Sequence, residues 1–173
     1  ALLVSVVIFG GIKRIATVAS KMVPIMVGIY LFAAIIVLFK NIQDIPSIFI
    51  LIISDAFSGD AVAGGAIGTV ISIGVRRGLF SNEAGSGTET MAHGAAKTNE
   101  PIREGLVAML GPLIDTIIVC SITAFVILLS GVYNQDLNGV SMTVVAFENE
   151  LGILGKILIM IAVITFSLST MFG

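Results

Sequence analysis

The chain has 173 residues, 57% of them hydrophobic and 12% charged, with a formal net charge of −2 and a mean hydropathy of +1.10. Globular sequences carry about 25% charged residues, so this composition excludes an ordinary soluble domain and indicates an integral membrane protein. A single cysteine, Cys120, excludes disulfide scaffolds and cysteine-based zinc sites, and nine basic against eleven acidic residues exclude a basic nucleic-acid binder.

Taken in chain order, residues 1–10 read as the end of one apolar span. The chain opens and closes within apolar runs, as expected of an internal fragment of a longer polytopic transporter or channel. Residues 22–40 form a second span, an apolar run from Met22 to Phe39 with Lys21 before it and Lys40 after it, and Pro24 is expected in its first turn, where a missing N–H costs little. A third apolar segment, 46–75, contains 30 residues. As one straight helix it would measure about 45 Å against a hydrocarbon core of about 30 Å. A fourth span covers 105–131 and a fifth covers 151–173, with polar stretches at 11–21 and 41–44. Residues 76–104 and 132–150 read as loops.

The basic residues orient these spans. If the spans alternate, Lys13, Arg14, Lys21, Arg76, Arg77, Lys97 and Arg103 share one side, and only Lys40 and Lys156 face the other. Short cytoplasmic loops collect Lys and Arg, so 76–104 is expected in the cytoplasm and 132–150 outside.

The middle of the third span is the most informative stretch. Ser58, Gly59 and Asp60, followed by Gly64, Gly65 and Gly68, put poor helix formers at mid-membrane depth. A broken backbone there is tolerated only against protein or a watery cavity. Freed carbonyls and half-helix ends of a discontinuous transporter helix bind substrates and ions. The alternative is that the glycines are small-residue contacts for a neighbouring helix. Asp55 and Asp60 favour the functional reading, because an intramembrane carboxylate costs about 2.5–3.5 kcal/mol on insertion scales. Asp60 is placed to meet a cationic group such as a substrate ammonium. Asp55 fits either a hydrated vestibule or a pairing within the bundle.

Asp115, in the fourth span, is either a buried acid hydrogen-bonded by Thr116 or by hydroxyls of a facing helix, or part of an ion path. In the last span, Thr165 and Ser169 share a helical face, with Thr170 beside them. These hydroxyls either bond back to carbonyls of the preceding turn or contribute oxygens to a sodium site. In the loop, Ser81 or Asn82 could cap a short helix and Glu83 could pair with Arg76 or Arg77. The loop lacks the spacing of a phosphate-binding fingerprint. Ser86 and His93 lie outside the membrane core with no third catalytic partner, so no enzyme is expected and His93 reads as a surface residue.

The stretch GVRRGLFSNEAG at 74–85, together with Ala92-His93, AAKT at 95–98, Ile114-Asp115-Thr116, FSLST at 166–170 and GGIKRIA at 10–16, resembles the alanine or glycine:cation symporter family. The resemblance implies an all-α integral membrane fold of the LeuT-like inverted-repeat type. This chain would then run from the end of helix four through most of helix eight, with helix six discontinuous.

It also implies sodium-coupled, in some members proton-coupled, import of alanine, glycine or related small amino acids through a multi-pass protein of the cell membrane. No cofactor is implied beyond co-transported Na⁺. The substrate site would be carried here by Phe57, Ser58, Gly59, Asp60, Gly64 and Gly65. Ser169 and Thr170 would form part of a sodium site, and Asp55, Asp115 and Thr116 a possible ion path. Its partners are the amino acid, the lipid bilayer and the remainder of the transporter chain. The competing class is a cation-conducting pore lined by Asp55, Asp60 and Asp115.

Overall fold

The computed structural model describes residues 2–57, 67–81, 93–94 and 96–172, and the described residues are helical throughout apart from short connections. They divide into two compact units, residues 1–41 with 122–173, and residues 42–121. Among the described residues three helices, Lys13–Lys40, Pro101–Leu129 and Ile153–Met171, are long and apolar enough to cross a membrane.

The first unit begins with α1 (Leu2–Ile8) and α2 (Gly11–Lys40). The stretch 11–21, read from sequence as a polar segment before the span, is the first three turns of α2. Nothing in it breaks a helix: Lys, Arg and Ala are good helix formers, and Thr17 and Ser20 donate their hydroxyl protons to the carbonyls of Lys13 and Thr17. Pro24 consequently lies in the helix interior, not in a first turn. Its missing N–H leaves the Ser20 carbonyl without the usual donor four residues on.

The unit also holds the last turns of α5 (Pro101–Leu129), followed by α6 (Val140–Leu151) and α7 (Ile153–Phe172). The segment 132–150, read from sequence as an external loop, carries α6, whose 12 residues are too few to cross a bilayer. Gly139 and Gly152 bracket α6 at φ +59° and +69°. L side chains rarely adopt this left-handed region, so glycine is what lets the chain turn sharply into and out of the helix.

Ala33, Ala34 and Val37 of α2, Ala146 and Phe147 of α6, and Ile159 and Ala162 of α7 make the core, with Val126 and Val132 also fully buried. Small residues on α2 let helices approach closely. Gly155 of α7 serves the same end, since a Cβ there would lie 2.3 Å from the Phe147 carbonyl oxygen. At the end of α2, Lys40 Nζ donates to the Glu150 carbonyl at 2.7 Å and meets its carboxylate at 3.3 Å, while Asn41 Nδ2 donates to the same carboxylate at 2.8 Å. Lys156 Nζ pairs with Glu148 at 2.9 Å.

The second unit contains α3 (Ile45–Ala56), α4 (Ile67–Ser81) and α5 up to Ser121. α3 opens on Pro46, where the lost N–H is one of the unpaired donors of a helix start, and stops at Ala56. The predicted break at 58–65 lies between α3 and α4, outside the described residues.

Within α5 the regular helix gives way to a π-helical turn at Ile114–Cys120. Pro112 stands two residues before it, and its missing N–H and its ring disturb the preceding turn at the carbonyl of Ala108. Such π turns recur at functional sites.

Candidate functional site

The sequence-predicted site residues fall in both units. Of the substrate group, Phe57 follows α3 directly and is 86% exposed. Its backbone N–H donates to the carbonyl of Asp55 as the helix ends. Asp55 itself is exposed in the last turn of α3. Ser58, Gly59, Asp60, Gly64 and Gly65 lie outside the described residues, as do Asn82, Glu83 and Ser86.

Asp115 and Thr116 are the second and third residues of the π turn. Asp115 is half-buried and Thr116 exposed. Residues five apart come together in such a turn, and the Cys120 thiol accordingly points at Asp115 Oδ2, 4.0 Å away. Cys120 is a partner for this acid that the sequence reading, looking to Thr116 and facing hydroxyls, missed.

On α7 the hydroxyls converge. Ser169 Oγ donates to the Phe166 carbonyl at 2.8 Å, and Thr170 Oγ1 donates to the same carbonyl at 3.1 Å. Thr165 Oγ1 lies 2.9 Å from the Ile161 carbonyl and 2.8 Å from that of Ala162. Back-bonding to the preceding turn is therefore present. It does not compete with a cation, because a hydroxyl has one proton to give and two lone pairs. With both protons committed to Phe166, the oxygens of Ser169 and Thr170 keep lone pairs for a hard cation, which takes oxygen ligands.

A further pocket lies at the start of α5. A cavity of about 480 Å³ is lined by His93, Thr98, Pro101, Glu104 and Gly105 among others. His93 Nδ1 lies 2.6 Å from Glu104 Oε1, with both side chains partly buried. His93 is thus a tied residue and not the plain surface histidine that the sequence suggested. The missed signal is Glu104, eleven residues downstream and in the first turn of α5. Among the described residues no cluster of three or more His, Cys, Asp or Glu could hold a metal ion.

The family model described as the sodium:alanine symporter family matches residues 1–173. The chain is 41% identical over 177 residues to the sodium/alanine symporter AgcS of Methanococcus maripaludis, covering all of this chain and 39% of that protein. It is 38% identical over 168 residues to the probable sodium/glutamine symporter GlnT of Bacillus subtilis, covering 96% and 35%. It is 44% identical over 127 residues to a sodium/proton-dependent alanine carrier protein of Bacillus sp. strain PS3, covering 73% and 28%. The chain therefore spans under two fifths of the length of these relatives. Their shared description is that of transporters, and with the apolar helices of this chain it indicates a multi-pass protein of the cell membrane. A match along the whole chain, joined to three helices able to cross a bilayer, places this chain in the sodium:alanine symporter family.

Proposed function

We propose that the protein carrying this chain imports a small neutral amino acid, alanine or glycine, together with Na⁺ by alternating access on a LeuT-like inverted-repeat scaffold. The observation that carries the reading is the paired hydroxyls of Ser169 and Thr170, both tied to one carbonyl on a membrane-length helix of a chain in this family. Na⁺ accepts neutral hydroxyl and carbonyl oxygens, and Ser169 and Thr170 supply two of its ligands. Phe57 and the stretch 58–65 form the amino-acid site, in which Asp60 meets the substrate ammonium and Gly64 and Gly65 leave room for a small side chain only. Asp55, Asp115 and Thr116 line the ion path. Ion and substrate are coupled because each favours the same occluded state, a differential affinity that works in both directions.

Alanine or glycine is preferred to glutamine because two of the relatives are named for alanine and because glycine-rich sequence at 59–68 favours a small pocket. Uptake of radiolabelled alanine, glycine and glutamine into vesicles carrying the full-length protein tests this, under a sodium gradient, a proton gradient and neither. Saturable alanine or glycine uptake driven by sodium is expected. Uptake driven by protons alone would reassign the coupling ion, preferential uptake of glutamine would reassign the substrate, and current without saturable amino-acid flux would replace the symporter with a pore.

A further inference from the structure

We propose that Tyr30 is the positioning residue for the cation ligands of α7, an inference that rests on the sodium site proposed above. Tyr30 lies two thirds of the way along α2 and is 7% exposed. Its hydroxyl is hydrogen-bonded to Thr123 Oγ1 of α5. Its ring lies 5.8 Å from the Phe147 ring of α6 at 49°, and 6.2 Å from the Phe166 ring of α7 at 83°. One side chain on α2 therefore touches three other elements of the same unit.

The contact with Phe166 is the important one. Phe166 offers two groups at once: its ring seats edge-on against Tyr30, and its carbonyl accepts the hydroxyl protons of Ser169 and Thr170. Edge-to-face pairs hold a preferred geometry because the positive ring edge meets the negative ring face. Fixing the Phe166 ring fixes the rotation of α7 about its axis at that turn. The carbonyl follows, and with it the two hydroxyls that donate to it, so both proposed cation ligands take their direction from one aromatic contact. The Thr123 hydrogen bond sets the angle of the Tyr30 ring in turn. A phenylalanine at position 30 would fill the same space, so the hydroxyl adds orientation without adding bulk.

A purely structural Tyr30 would affect stability and leave the sodium requirement alone, which separates the two roles. The test uses the full-length protein in proteoliposomes, with the sodium concentration for half-maximal alanine uptake measured separately from the alanine KM at saturating sodium. Sodium-dependent thermal stabilisation in detergent gives a second readout that needs no transport. Supporting groups behind metal ligands typically change ion affinity 10- to 100-fold, so Tyr30→Leu is expected to raise the sodium requirement about tenfold, and Tyr30→Phe and Thr123→Val about threefold, with the alanine KM nearly unchanged. If Tyr30→Leu fails to fold, Tyr30→Phe and Thr123→Val decide alone, and unchanged sodium dependence in both overturns the proposal. Equal shifts in the sodium and alanine constants overturn it too. If Ser169→Ala and Thr170→Val raise the sodium requirement and the Tyr30 variants do not, the sodium site stands and the role of Tyr30 falls. A wild-type protein indifferent to sodium overturns both.

Discussion

The unit built from residues 1–41 and 122–173 holds every buried hydrophobic residue among those described, from Val4 to Ala162, whereas the described residues of 42–121 contribute none. In the second unit Phe49, Ile50, Ile53, Ile114 and Ile117 lie open. Hydrocarbon tails are as apolar as leucine, so an open apolar helix costs nothing in a bilayer and burial ceases to measure how well it is placed. The first unit is organised by packing. In the second, the fixed points are polar: His93 with Glu104, Arg103 with Glu100, and Cys120 with Asp115.

Substitutions test this contrast directly, by thermal or detergent-induced unfolding of the purified protein. The largest effect is expected for Phe147→Ala, which empties a fully buried site and should cost about 3–5 kcal/mol. Ile50→Ala, on the exposed surface of α3, should stay within about 0.5 kcal/mol. Equal losses at the two sites would erase the distinction between the units.

Next comes Gly155→Val, whose Cβ would lie 2.3 Å from the Phe147 carbonyl oxygen and 2.7 Å from Leu151 Cβ. Because backbone has to move, a cost of about 1–3 kcal/mol is expected, read as lost hydrogen-exchange protection across α6 and the start of α7. Protection that survives there would mean that the two helices are not held by this close approach.

Within the first unit the smallest effect is expected for Glu150→Gln, which weakens the contacts to Lys40 and Asn41. The Lys40 side chain is 54% exposed, so screening by water limits the loss to under about 1 kcal/mol. A loss as large as that of Phe147→Ala would show that the first unit depends on this polar cluster more than on its core.

What the sequence reveals follows the same divide between composition and geometry. The membrane-length helices at 22–40 and in 105–131 are legible because charges flank long apolar runs. The helical state of 11–21 was hidden by its polarity, since counting apolar windows finds where a helix enters lipid and not where it begins. α6 was hidden for a related reason: 12 residues are too short for a span, although Gly139 and Gly152 mark both ends. The hydroxyls of 165–170 were legible as a pattern, and both uses weighed for them draw on the same atoms. Tyr30, Phe166 and Thr123 left no local signal, because their relation spans 136 positions of chain and exists only once α2, α5 and α7 are packed.

The thiol beside the π turn has a practical consequence. Cys120 is the chain's single cysteine, it is exposed, and it sits within reach of Asp115. Within this chain it is the one thiol, and it stands at the irregular turn of α5. A membrane-impermeant thiol reagent applied from either face reads which side wets that turn, with no residue of this chain altered.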